Sequence, residues 1–364
     1  MSQRNDPVAE HLLGYAQSLR GGGVERALLA LAHGWCAAGR RVTLAIGDAS
    51  GPLAAELPAG ARIVPLGGGG YRAMLRGLAG AVRAAAPDLI FCPGNHYTAA
   101  ACWTRARLGA ACPPIVGKVS NALVRPEMGR VEAWGYRRWL RLHPRFLDHL
   151  VAMSPAMAAE AVAEMRMPAG RVAVIANPPP RPPADSPPVA LPRGRFLVGV
   201  GRLEPQKRWD RLIAALPRLA DRAVTLLILG EGSERAALEA QAARLGLGAR
   251  VAMPGYAADP APALARAAAA VLTSDFEGVP GALREALALG TPVVATEASV
   301  AVREMIDSPA KGNVVPRGDA EALVAALDRW LAPGTARPEP VPATGDPAAE
   351  YLALFDRVAA QRSR

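Results

Sequence analysis

The chain has 364 residues, more than one ordinary core holds and enough for two domains. With 51% apolar residues it is no disordered chain, and with 5% aromatics its cores must be built from Ala, Val and Leu. The net charge of +10 favours anionic partners, yet the only lysines are Lys118, Lys207 and Lys311. Without a compact basic run interleaved with aromatics, nucleic acid is excluded as the expected partner.

The N-terminus, MSQRNDPVAEH, is polar and lacks the apolar h-region of a signal peptide. Arg or Glu interrupts every Ala-rich run before about 18 apolar residues accumulate, so no spanning helix is expected and a cytoplasmic chain is. Apolar runs then alternate with helical patterns: 11–16, a helix through 27–39, then 41–47, 62–67, 88–94, 114–120 and 149–154. Cys36, Cys92, Cys102 and Cys112 fall among these elements without metal-ligand spacing and read as small buried hydrophobes in a reducing compartment. No metal site is expected. The glycine run 67–70 follows one strand and reads as a mobile loop.

Residues 177–193 are Pro-rich and read as a semi-rigid linker. Beyond it, the runs 195–203, 225–230, 250–255, 270–274, 292–296 and 313–316 alternate with helical patterns at 208–220, 233–246, 261–268, 281–290, 300–306 and 319–331. Continuous short apolar runs between helices predict buried parallel strands covered on both faces. The predicted organisation is a Rossmann-like domain over 1–176, the linker 177–193, and a second Rossmann-like domain over 194–335. A Pro-rich segment with an amphipathic helix occupies 336–364. In such α/β folds ligands gather beyond the carboxyl ends of the strands, near helix N-termini, here in a cleft between two doubly wound domains.

The segment from Ser274 to Thr296, SDFEGVPGALREALALGTPVVAT, places Glu277 in a strand-end loop and Glu285 eight residues later on a helix. Gly278 and Gly281 permit close backbone approach, Pro280 suits a first helical turn, and free N–H groups there seat a phosphate. Two glutamates alone equally fit a charged loop and a solvated helix face. The surrounding pattern, E-G-x-P-x-x-L-x-E-A-L-A-x-G-x-P-V-V-A-T, resembles the EX7E signature of family 4 retaining glycosyltransferases with the GT-B fold. Further resemblance lies in VGVGRLEPQKRWD at Val198 to Asp210, GEG at Gly230 to Gly232, Asn177–Pro178, and GGGVERALLALAHGWCAAGRRVTL at Gly21 to Leu44. These stand in the family's order over most of the chain.

The resemblance implies an acceptor domain followed by a nucleotide-sugar donor domain, with residues 336–364, the Pro-rich segment and the last helix, returning to pack on the first. It implies Arg202 and Lys207 on the donor diphosphate, Glu277 on the transferred sugar and Glu285 on the ribose. The backbone at Gly278, Val279, Pro280, Gly281, Ala282 and Leu283 would face sugar and phosphates. Met253, Gly255 and Tyr256 would lie near the base, and Gly21, Gly22 and Gly23 would approach the phosphates from the first domain. No cofactor beyond a UDP- or GDP-linked sugar is implied. Where many relatives carry an active-site His, this chain has Ser120 and Asn121. His96 is the nearby histidine in a suitable loop, either an active-site contact or a structural residue.

The implied reaction moves a hexose-type sugar to a glycan or lipid-linked glycan in cell-surface polysaccharide or lipopolysaccharide assembly. The segment Gly129 to Leu142 puts Arg130, Arg137, Arg138 and Arg141 within an arc of roughly 100° around Trp134, a face suited to an anionic membrane. A solvated basic face with Trp139 inward is the other reading. The alternatives for the whole chain are a sugar-nucleotide epimerase of the same architecture and a non-catalytic anion or nucleic-acid binder. Gly199-Val-Gly201 lacks the third glycine of a dinucleotide fingerprint.

Overall fold

A computed structural model describes residues 8–123, 125, 127–179, 186–342 and 344–362. The chain divides into two compact units, Met1–Arg181 with Gly345–Arg364, and Pro182–Thr344.

The first unit runs β1 (His11–Ser18), α1 (Gly23–Ala37), β2 (Arg41–Asp48), β3 (Ala61–Pro65), α2 (Tyr71–Ala85), β4 (Leu89–Cys92), α3 (Thr98–Leu108), β5 (Ile115–Lys118), α4 (Arg130–Leu140), β6 (His149–Ala152), α5 (Pro155–Met165) and β7 (Val172–Val174). The strands form one parallel sheet, ordered β3-β2-β1-β4-β5-β6-β7. Buried Leu28, Leu31, Ala32 and Trp35 recur at helical spacing on α1 and cover one face of this sheet.

The second unit runs β8 (Phe196–Val200), α6 (Trp209–Ala215), β9 (Thr225–Leu229), α7 (Arg235–Arg244), β10 (Val251–Gly255), α8 (Ala261–Arg266), β11 (Ala269–Leu272), α9 (Gly281–Ala288), β12 (Val293–Thr296), α10 (Val300–Met305), β13 (Gly312–Val315) and α11 (Ala320–Leu331). Its parallel sheet is ordered β10-β9-β8-β11-β12-β13 and carries an apolar cluster on each face. The helix expected over 208–220 stops at Ala215 and passes into a short 3-10 turn, because Pro217 has no N–H to continue it. Pro254 is tolerated because β10 is an edge strand with an irregular register.

The last helix, α12 (Pro347–Arg362), belongs to the first unit. Its buried Tyr351 and Phe355 join Trp35 and Phe91 in an edge-to-face cluster, with Phe355 5.3 Å from Trp35. The Cβ of Ala348 lies 2.3 Å from where a side chain on Gly34 would start, so α1 must carry glycine at that crossing. The Pro-rich stretch before α12, expected to pack with it, stays instead on the second unit. Arg337 donates to Gly290 O at 3.0 Å and to Ala267 O at 3.2 Å, while Val341 N donates to Leu287 O at 2.9 Å. These bonds occupy carbonyls at the ends of α8 and α9, which a detached segment would leave to water. Of the expected linker 177–193, residues 180–185 lie outside the described residues, and Val189 and Leu191 pack on the second core.

Candidate functional site

Each sheet reverses strand order once, between β1 and β4 in the first unit and between β8 and β11 in the second. The loops leaving neighbouring strands there run in opposite directions and leave a crevice at the carboxyl edge. In the second unit those loops are 201–208 and 273–280, which contain Arg202, Lys207 and Glu277.

The first of these loops is shaped by glycine. A Cβ on Gly199 would lie 2.5 Å from the ring of Trp209, and one on Gly230 would lie 1.9 Å from Gly201 O. Trp209, buried against β8, donates its indole N–H to Arg202 O at 3.0 Å and thereby fixes the loop's path. Lys207 is turned back toward β11, where Nζ donates to Glu277 Oε1 at 2.6 Å. Its side chain is 14% exposed and that of Glu277 12%. Arg202 is exposed and has no ion pair among the described residues. Beside it, Arg208 adopts a left-handed backbone, and its bond to the Asp210 carboxylate holds it more firmly protonated than usual.

The Glu277 loop is pinned from several sides. Glu277 N donates to Ala298 O at 2.9 Å, Gln206 Nε2 to Phe276 O at 2.6 Å, and Ser299 Oγ to Gly278 O at 2.6 Å. Pro280 is the N-cap of α9, whose first helical bond is Arg284 N to Pro280 O at 3.3 Å. The N–H groups of Gly281, Ala282 and Leu283 precede that bond and are available to an anion. Glu285, one turn on, leans back so that its Oε1 lies 3.5 Å from a side chain placed at Gly281. The crevice therefore combines a lysine, an exposed arginine, two carboxylates and a helix N-terminus.

Gly255 ends β10 with a positive φ of 109°, its carbonyl accepting from Gly230 N at 2.8 Å. Met253 is half-buried and Tyr256 is 45% exposed, so this edge of the second unit offers an apolar rim.

The other expected residues lie in the first unit. Gly21 has φ of 117°, and Gly22 caps α1 by accepting from Arg26 N at 3.0 Å. The Glu25 carboxylate fills the space a Gly22 side chain would need, and Gly23 opens α1. Glu25 also accepts from the Tyr97 hydroxyl, joining the glycine loop to the loop of His96. His96 Nε2 lies 3.2 Å from Gln17 Oε1, and its ring sits 4.9 Å from that of Tyr71. Burial pulls its pKa below the usual imidazole value, against the opposing pull of Glu25. Ser120 is structural: its Oγ accepts from Asn95 N at 3.2 Å and its N–H donates to Asn95 Oδ1 at 2.8 Å. The glycine run at 67–70 is a defined turn into α2, tied by Gln17 Nε2 to Gly69 O at 2.9 Å. Sequence reading passed over Tyr71, Tyr97 and Gln17, which carry no local motif.

On α4, Val131 is 83% and Trp134 59% exposed, with the Arg138 guanidinium 4.4 Å above the Trp134 ring. Arg130 and Arg141 share exposure with them, whereas Arg137 pairs with Glu164 at 3.3 Å and Trp139 packs on His143 and Phe146. Among the described residues no helix is long and apolar enough to cross a membrane, and no group of three or more His, Cys, Asp or Glu is placed to hold a metal ion. All four cysteines are free thiols.

A glycosyl transferase 4-like domain model matches residues 22–178, and a model for glycosyl transferases group 1 matches 194–332. The lipopolysaccharide core biosynthesis glycosyltransferase LpsE of Rhizobium meliloti is 35% identical over 155 residues, 43% of this chain and 42% of that protein. The lipopolysaccharide 1,6-galactosyltransferase of Salmonella typhimurium is 30% identical over 183 residues, 49% of this chain and 48% of that protein. The matched stretch spans less than half the length of either relative. Anabaena HepE, solved in complex with UDP and glucose, shares the fold at a TM-score of 0.69 and 22% identity, over 97% of this chain and 95% of its own.

Proposed function

We propose that this chain, whose two domains are those of a GT-B glycosyltransferase, moves a hexose-type sugar from a nucleoside diphosphate donor to a glycan or lipid-linked glycan, with retention at the anomeric carbon. The observation that carries the reading is the Lys207–Glu277 pair beside the N-terminus of α9, at the strand-order reversal of the second unit. Lys207 and Arg202 neutralise the diphosphate, a point charge and a fork on neighbouring oxygens. The N–H groups of Gly281, Ala282 and Leu283 at the start of α9 add donors that need no reorganisation as charge builds on the leaving group. Glu277 accepts from hydroxyls of the sugar and Glu285 from those of the ribose, while Met253 to Tyr256 border the base. For the first unit the family resemblance assigns Gly21 to Gly23 to the donor phosphates and His96 to the acceptor.

In the reaction the bond from the anomeric carbon to the phosphate oxygen breaks. The acceptor oxygen bonds that carbon on the same face, and its proton passes to the departing phosphate. No bound metal is assigned a step. The relatives named for lipopolysaccharide synthesis support a role in cell-surface polysaccharide or lipopolysaccharide assembly. Work at the inner face of the membrane fits the exposed basic and aromatic face of α4, which matches an anionic lipid surface. Pelleting with anionic vesicles, lost in an R138E/R141E variant, tests that contact; sedimentation unaffected by the charge reversal rejects it.

Calorimetric titration with UDP, GDP and ADP in EDTA tests the donor site. One nucleoside diphosphate should bind, with Lys207→Ala abolishing the heat. Silence from all three, with NAD or a DNA duplex binding instead, overturns the reading.

A further inference from the structure

Ser274 follows β11 and is completely buried. Its Oγ donates to Glu277 Oε1 at 2.7 Å, the same oxygen that takes Lys207 Nζ at 2.6 Å. Two donors fill the lone pairs of Oε1, and among the described residues Oε2 accepts none. We propose that Ser274 is a positioning residue that holds the Glu277 carboxylate so that Oε2 alone is offered to a hydroxyl of the donor sugar. This deepens the transferase reading and rests on it.

Lys207 cannot hold that orientation by itself. Its ammonium sits on a flexible stem, and in the bound state its donors are shared with the diphosphate. Ser274 has no such second partner. Its backbone is fixed from below, Thr296 Oγ1 donating to Ser274 O at 2.6 Å, while Thr273 Oγ1 donates to Arg208 O at 2.8 Å. The Glu277 loop is separately pinned by Ala298, Gln206 and Ser299. Removing the Ser274 hydroxyl therefore frees the carboxylate without releasing the loop, and the effect belongs to the sugar rather than to the diphosphate.

The test compares UDP with UDP-glucose, and GDP with GDP-mannose, on wild type, Ser274→Ala, Glu277→Ala and the double variant. In Ser274→Ala the nucleoside diphosphate should bind within about twofold of wild type. The matching sugar nucleotide should lose about tenfold, the size of one hydrogen bond to a charged group. The double variant should be no weaker than Glu277→Ala, because Ser274 acts through that carboxylate. Ser274→Cys, with a weaker donor in nearly the same volume, should fall between. Undiminished sugar-nucleotide affinity, an equal loss for the bare diphosphate, or losses that add in the double variant overturn the role of Ser274 alone. A wild-type protein that binds neither diphosphate overturns the transferase reading beneath it as well.

Discussion

Lys207→Met leaves Glu277 as a nearly buried carboxylate facing only Ser274. Breaking one side of a buried ion pair costs about 3–5 kcal/mol, mainly because the surviving charge stays desolvated. Here each side chain keeps more than a tenth of its exposure, and Ser274 still donates to Oε1, so the cost should be about 2 kcal/mol. Glu277→Gln keeps shape and an acceptor but strands the ammonium, for about 1–2 kcal/mol. The double variant removes both charges together, so the pair should show a coupling energy of about 1–2 kcal/mol. Because a two-domain chain need not unfold in one step, the assay is native-state hydrogen exchange of the β8 and β11 amides. Single effects that add within about 0.3 kcal/mol would refute the ion pair as a stabilising unit. Diphosphate binding gives a second readout. Glu277→Gln should bind the nucleoside diphosphate at least as tightly as wild type, since Lys207 then has no carboxylate to share.

Gly230→Ala, with its Cβ 1.9 Å from Gly201 O, should cost about 2–3 kcal/mol and weaken diphosphate binding by displacing the Lys207 loop; an unshifted melting temperature would contradict that close approach. Phe355→Ala removes a fully buried ring from the Trp35 cluster and should cost about 3–5 kcal/mol, read as faster hydrogen exchange in α1 and α12. His143 is buried, with Nδ1 3.0 Å from Leu140 O, and desolvation lowers its pKa from 6.5 to about 4. The unfolded chain takes up this proton near pH 6.5 and the folded one only near 4. Its contribution is therefore constant above that window and lost as pH falls through it, by about 2 kcal/mol at pH 5. His143→Asn should flatten that part of the pH–stability profile of the first unit; an unchanged slope would reject the assignment.

Much of the fold was legible because its signals are local. Continuous apolar runs such as 225–230, ended by glycine and followed by a helical pattern, can be buried only as parallel strands between helices. The glycines and proline around Glu277 and the glycines before α1 announced helix-opening turns for the same reason. Boundaries were less legible where one residue overrode the period, as Pro217 does at the end of α6. The Pro-rich stretch after α11 was misplaced because its composition reports extended backbone and not which carbonyls it will meet.

The sequence by itself determined the strand–helix alternation of the second unit and most strands of the first, and which strand ends carry charge and glycine. Only the tertiary structure decided that Lys207 meets Glu277, 70 residues away. It likewise decided that Ser274 lies under that carboxylate and that Glu25 joins the glycine loop to Tyr97. Those meetings depend on β8 pairing with β11 and on β1 pairing with β4, choices set by how whole helices cover each sheet. Periodicity and turn chemistry act over a few residues, whereas strand order is settled by burial summed over a domain.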